Sequence, residues 1–548
     1  MLQAGGTAVD AAVAVQMVLA LVEPQATGLG AGAFLVHYDG KQVEAYDGRE
    51  TAPAGADERQ FLQADGRPMP FSQAVTTGVA VGVPGAVRML ELAHREHGKL
   101  PWARLFQPAI RLAESGFRIG PRMYALASHD TELKRDPVAA AYFLRADGQV
   151  HEPGQLLRNP DLAYVLRRIA AEGSNALHEG EVARAIVERV HRSARPGTLS
   201  MADMAGYQAR KRDALCHDYR ASNIDYRLCG MPPPSSGTIV IGQVLGMLRH
   251  TPAWRYPLEM GRGGVPGTTG FVPSTDFLYL YLEASRMAFA DRAQYIADPD
   301  FIAAPPGGWS SLLDAGYLAD RAKLIDASPA GRSMKDVKPG TPGGARTSHA
   351  PMPEQEEHGT SHISIVDEQG NALAMTTTVE AQFGSRMMVN VSGRPGGFLL
   401  NNELTDFSFV PADADGRPVA NRVQPGKRPR SSMAPTLVFH QPSGRFVMAT
   451  GSSGGAMIIH YTAKSIFGVL NWGMNVQQAI DLPNFGVLDS TSLLEAHRFP
   501  PQSVEALRRR GARVLELELT SGTHAIQSSP SGFYGGADPR REGLVLGD

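Results

Sequence analysis

Cysteine is nearly absent: the 548 residues include only Cys216 and Cys229. Two cysteines exclude a disulfide-framework scaffold and a cysteine-built zinc site, which takes four ligands. The pair flanks residues 217–228, a stretch with hairpin character, so one disulfide and two buried thiols both remain compatible with the pattern. A surplus of charge is absent too. Lys plus Arg number 53 and Asp plus Glu 55, a net charge of −2, so no basic excess points to nucleic acid or an anionic membrane surface. Long apolar runs are also missing. The stretch 11–22 has 12 residues, short of the roughly 20 that span a bilayer. Asp10 precedes it and no Lys or Arg does, which argues against a signal peptide. It reads as a buried, Ala-rich helix, and the chain as given carries no export signal and no membrane span.

What is present is the composition of a folded protein. Hydrophobic residues make up 43% and charged residues 20%, which excludes wholesale disorder. The 59 glycines and 39 prolines carry no repeating period, so they imply many tight turns and close backbone approaches. Helical periodicity is strong over 8–22, 85–96, 105–115, 159–171, 181–190, 277–297 and 462–472. Strand-like alternation marks 33–38, 362–366, 372–379, 436–440 and 446–449. Helices and hairpin signals are mixed throughout, which predicts an α+β sandwich with its helices outside. Residues 328–359 stand apart, with almost no large apolar side chains. Such a segment buries too little surface to offset its ordering entropy and is expected to be exposed and mobile.

Two alternating runs then surround a polar loop: TSHISIV at 360–366, DEQGN at 367–371 and ALAMTTT at 372–378. A hairpin centred on Gln369 places Thr378 directly across from Thr360, within reach of a hydroxyl–hydroxyl contact. A slip of one residue would send Thr378 to the other face. A threonine hydroxyl is a weak nucleophile, and one solution is an N-terminal threonine whose own α-amine is the base. That amine has a reference pKa of about 7.7–8.0 and needs little tuning near neutral pH. It would require cleavage between Gly359 and Thr360. By spacing alone, two such threonines are more often ordinary strand residues. Gly28-Leu29-Gly30-Ala31-Gly32-Ala33 superficially fits a dinucleotide turn, but it follows a helix and precedes a strand, the reverse of that motif.

The chain resembles the γ-glutamyltransferase (glutathione hydrolase) family of N-terminal-nucleophile hydrolases. The likeness runs in order through GGTAVDAAVAV near the start, DGRETAP at 47–53, GVPGAV at 82–87 and CGMPPPSSG at 229–237. It continues through TSHISIVDEQGNALAMTTT at 360–378, FLLNNELTDFS at 398–408, GKRPRSSMAPT at 426–436, GSSGGA at 451–456 and GADPRR at 536–541. The resemblance implies a four-layer αββα sandwich made as a precursor. Self-cleavage would give a large subunit, 1–359, and a small subunit, 360–548, associated as one folded unit. It makes Thr360 the processing residue and nucleophile, Thr378 its hydrogen-bonding support, and Gly454 and Gly455 the backbone of an oxyanion hole. Arg49, with Ser431 and Ser432, would hold the α-carboxylate of a γ-glutamyl group; Glu403 and Asp406 would hold its α-ammonium.

Expected substrates are glutathione and related γ-glutamyl compounds, with water, an amino acid or a peptide as acceptor. No metal or other cofactor is implied. Glu380 stands where well-known transferases carry an asparagine near the α-amine, adding a third acid beside Glu403 and Asp406. The chain has GLGAGAF and GSSGG where the family typically has GLGGGGF and GSPGG. Residues 407–429, the counterpart of a lid loop, contain no Tyr or Trp, which predicts a more open acyl pocket. The rival readings are a glutaryl or cephalosporin acylase of the same superfamily and a non-catalytic γ-glutamyl-binding relative. The chain opens within what looks like the family's first helix; if its start has been lost, a signal peptide and a core strand would have gone with it, and location is not legible.

Overall fold

A computed structural model describes residues 1–261, 270–353, 359–488 and 490–547. The chain forms two compact units. One comprises 1–212, 355–413 and 421–429; the other comprises 213–354, 414–420 and 430–548.

The first unit is organised around a five-stranded sheet in the order Ser361–Val366, Ala372–Thr378, Gly32–Tyr38, Val43–Gly48, Arg210–Asp213. The hairpin forms in the register its sequence predicts, with Ser361 opposite Thr377 and Val366 opposite Ala372. Asp367 closes its turn: Oδ1 accepts from the N–H groups of Gln369 and Asn371 at 3.0 Å each. Its other oxygen accepts from Ala8 N at 3.0 Å, tying the turn to the start of helix Ala8–Val22. That helix begins at a capping box between Thr7 and Asp10, which satisfies N–H groups that a helix start leaves without partners. Helices Ala86–His97, Gln107–Ser115 and Pro160–Glu172 share one apolar core with it and with the sheet.

The second unit holds a six-stranded antiparallel sheet in the order Gly532–Ala537, His524–Ser529, Phe446–Gly451, Thr436–His440, Ile224–Gly230, Leu215–Ala221. Cys216 and Cys229 face each other across its edge hairpin and are joined as a disulfide. The pairing left open by sequence is therefore decided by register. Helices Gly237–Leu248, Thr275–Tyr295 and Ile458–Leu470 pack together in this unit. Each unit is thus a sheet with helices, and the fold is α+β. Among the described residues no helix is long and apolar enough to cross a membrane.

Residues 328–353 have little regular structure and are mostly exposed, in keeping with their composition, and a few backbone contacts tether them. Met334 N donates to Glu283 at 2.8 Å, Gly340 N to Asp291 at 2.7 Å and Met352 N to Ala293 O at 2.9 Å. Ala350 and Met352 are buried with Val419. The segment lacks a core of its own and borrows partners from the second unit. Residues 354–358, also assigned to that tail, lie outside the described residues.

Asp367→Ala should lower unfolding free energy by about 1–3 kcal/mol, since it leaves the buried Ala8 amide and the turn amides without their acceptor. Denaturant titration of the full chain measures it.

Candidate active site

Thr360 is buried, and its Oγ1 donates to Thr378 Oγ1 at 3.1 Å. Thr378 Oγ1 also accepts from Glu380 N at 2.9 Å. Two donors on one hydroxyl fix the orientation of both threonines. The backbone here is strained. Gly359 has φ +77°, Thr360 +89° and Glu380 +73°. Left-handed φ is a genuine outlier for a β-branched residue, and such strain clusters at functional sites. Gly359 is sterically required as well, because a Cβ there would lie 2.0 Å from Glu380 O.

Register carries this geometry across the sheet. Thr378 pairs on its other side with Gly32, so Thr360, Thr378 and Gly32 share one face. The space a side chain at Gly32 would fill is taken by the Glu50 carboxylate, whose Oε2 lies 2.1 Å from the ideal Cβ position. A Cβ at Gly30 would meet Leu399 O at 2.3 Å. These contacts explain why Gly30 and Gly32 remain in GLGAGAF while Ala31 and Ala33 are tolerated, their methyl groups lying in the helix-covered core.

Arg49 follows strand Val43–Gly48 and is wholly buried. Its Nε donates to Pro429 O at 3.1 Å, and its two terminal nitrogens form ion pairs with Glu403 and Asp406. Those acids sit three residues apart on the 3-10 helix Glu403–Asp406, where i and i+3 eclipse and both carboxylates face the same way. Asn401 fastens that helix: Nδ2 donates to Gly30 O at 2.8 Å and Gly82 O at 3.0 Å, while Oδ1 accepts from Glu403 N at 3.0 Å. Asn402 Nδ2 donates to the Glu380 carboxylate, and its Oδ1 accepts from Ala381 N at 3.0 Å.

Four acids therefore crowd one guanidinium. Burial lifts the Glu403 carboxyl well above the usual range; Arg49 opposes this, while Glu50, Asp406 and Glu380 add to it. Burial likewise pushes Glu50 up to about 8 against the pull of Arg49. Among the described residues neither Glu50 oxygen has a hydrogen-bond partner. Burial alone would lower the Arg49 pKa, but the surrounding carboxylates hold it above its ordinary value.

The other predicted residues lie in the second unit. Ser235 and Ser236 of the PPPSSG run hold the Ser431–Ser432 segment: Ser236 N and Oγ each donate to Ser431 O at 2.8 Å, and Ser235 Oγ donates to Met433 O at 2.7 Å. Ser432 Oγ accepts from Arg292 at 2.5 Å, so its own O–H remains to be donated elsewhere. Gly454 and Gly455 have φ +130° and +59° and lead into helix Ile458–Leu470. A Cβ at Gly454 would lie 2.7 Å from the Tyr461 ring. Amides at a helix start lack intrahelical acceptors and carry partial positive charge. In the GADPRR element, Asp538 accepts from Ser521 and Thr523, and Arg540 pairs with Glu495 and Asp538. Its role is to hold backbone.

Glu50, Asn401, Asn402 and Arg292 escaped the sequence reading. The first three sit inside quoted motifs, and Glu50 adjoins Arg49, so adjacency was their one available signal. Arg292 has no motif and only packing reveals it.

A buried threonine hydroxyl beside left-handed Gly359–Thr360 backbone is the arrangement expected of one class, the N-terminal-nucleophile hydrolases. The fold agrees. Cephalosporin acylase from Bacillus halodurans superposes with a TM-score of 0.79 over 100% of this chain and 92% of its own, at 24% identity, a likeness that establishes the fold alone. The gamma-glutamyltranspeptidase family model matches residues 1–547, and the chain belongs to that family. The glutathione hydrolase proenzyme of Bacillus subtilis is 33% identical over 100% of this chain and 88% of its own length. The acylase ACY 1 proenzyme of Pseudomonas sp. strain SE83 is also 33% identical, over 98% of this chain and 88% of its length.

Glu50 gives a pH signature. Its folded pKa of about 8 exceeds the ordinary value, so the folded state binds the extra proton between roughly 4.5 and 8. Stability should fall as pH rises through that window. Glu50→Gln should flatten this part of a Tm-against-pH profile; an unchanged slope would assign the titration to another group.

Proposed function

We propose that this chain is a self-cleaving γ-glutamyltransferase and glutathione hydrolase. The carrying observation is the Arg49 cage. A γ-glutamyl group ends in an α-carboxylate and an α-ammonium, and an arginine closed on two carboxylates is the complement of that zwitterion. The substrate carboxylate would replace Glu403 and Asp406 on the guanidinium, while its ammonium takes up the displaced acids. Ser431 and Ser432 would donate to the same carboxylate, and Glu380 would add to the cationic end.

Maturation would begin with Thr360 Oγ1 attacking the Gly359 carbonyl carbon. The C–N bond breaks as an ester forms, and water then hydrolyses the ester. Gly359 becomes a carboxylate and Thr360 gains a free α-amine. In turnover this amine takes the hydroxyl proton as Oγ1 attacks the γ-amide, then returns it to the departing amine. Thr378 orients the hydroxyl, and the N–H groups of Gly454 and Gly455 stabilise the oxyanion. Loss of one such donor typically costs about 10²–10³ in rate. Water, an amino acid or a peptide would release the γ-glutamyl ester.

The acylase reading differs at one point. A glutaryl group keeps a carboxylate but has no ammonium, so binding it leaves Glu403 and Asp406 buried without the cation they await. A site built around a polar partner discriminates strongly against an analogue lacking it. The stem of the lid counterpart is short and held back, with Phe409 stacked on Phe61 at 4.5 Å. This supports room for varied leaving groups without changing the acyl preference.

Intact mass under denaturing conditions should give fragments 1–359 and 360–548, and Thr360→Ala should remain one chain. Hydrolysis of γ-glutamyl anilides should exceed that of glutaryl anilides by at least about a hundredfold in kcat/KM. Equal rates would favour the acylase. Fragments that bind glutathione without turnover would favour a binding relative.

A further inference from the structure

A second cluster of ionisable side chains lies on the opposite face of the nucleophile sheet. His37 and Glu44 are directly paired across strands Gly32–Tyr38 and Val43–Gly48. His37 is five residues from Gly32, an odd spacing that points it to the other face, about 17 Å away at ~3.4 Å per residue. That face carries helix Ala86–His97, which packs on strand Val43–Gly48. The last residue of the helix brings a second imidazole: the His37 and His97 ring centroids are 4.2 Å apart. One ligand atom from each of His37, Glu44 and His97 lies within 4.8 Å of the other two.

His37 is the informative member. It is 2% exposed, and among the described residues neither ring nitrogen has a hydrogen-bond partner. A buried polar group in that condition is costly unless something satisfies it. The carboxylate beside His37 is oriented from behind. Tyr46 Oη donates to Glu44 Oε2 at 2.9 Å, and Lys211 Nζ binds Glu44 Oε1 at 2.6 Å. Lys211 also binds Glu96 at 2.6 Å, offsetting one of the two acids. Partners that orient a ligand carboxylate in this way are characteristic of built metal sites. The position at a helix C-terminus further favours a cation.

We propose that His37, Glu44 and His97 bind a divalent transition-metal ion of the zinc type, clamping helix Ala86–His97 to the hairpin behind the nucleophile strand. Two imidazoles and one carboxylate form a recognised ligand set for zinc, with bonds of about 2.0–2.2 Å and a fourth position for water. His97 Nε2 now contacts Glu44 Oε2 at 2.7 Å. The ion would insert there, opening the His97–Glu44 contact, drawing His37 inward and displacing any proton on that nitrogen to solvent. The site is separate from the catalytic residues, and its role is stabilisation of the sheet.

The test uses the full-length protein stripped with chelator and titrated with Co²⁺ and then Zn²⁺. We expect one equivalent of Co²⁺ with strong visible d–d bands, displaced by Zn²⁺, and a Tm raised by the metal. His97→Gln, at a half-buried position, and His37→Phe, which keeps a packed ring, should each weaken binding at least about tenfold and abolish the metal-dependent Tm rise. Thr360→Ala should bind as the parent does. The proposal is overturned if the parent takes up no Co²⁺, or if the bands and the Tm rise persist in both histidine variants.

Discussion

Antiparallel register is the constraint on which the surroundings of the Thr360 hydroxyl depend. Because paired residues share a face, one alignment of the 361–378 hairpin puts the Thr360 and Thr378 hydroxyls 3.1 Å apart. The next strand then presents Gly32 at the same level, and the missing side chain leaves the space that the Glu50 carboxylate occupies. A slip of one residue would send all of these groups to the helix-covered face. Asp367 matters for the same reason. It closes the turn that sets the register and fastens it to the first helix.

The second governing feature is an excess of acid around one buried base. Arg49 meets Glu403 and Asp406 directly, with Glu50 and Glu380 close by. One guanidinium cannot compensate four ionised carboxylates in a dry site, so protons must be retained and carboxyl pKa values rise. Burying such a cluster adds little stability. Glu380, a departure from the familiar asparagine, fits this scheme by accepting from Asn402.

Much of this was legible in the linear sequence. The helix Ala8–Val22 and the strand Thr436–His440 have the bounds their periodicity indicates, because each follows a local pattern. The hairpin register was readable from the centre of a short polar loop. The composition of 328–353 indicates its irregular, mostly exposed backbone, but composition cannot show that Glu283, Asp291 and Ala293 supply partners for its amides. The disulfide was undecidable for a related reason. Spacing permits it, and only strand pairing puts Cys216 opposite Cys229.

By itself the sequence determined the local elements, the hairpin and, through its ordered motifs, the family. Those properties reside in neighbouring residues and in short spacings. Tertiary structure alone decided that Glu50 fills the space over Gly32, that Arg292 holds Ser432, and that His97 reaches His37 and Glu44. Each of these contacts joins residues from separate elements, and burial, desolvation and charge crowding exist only once the chain has folded.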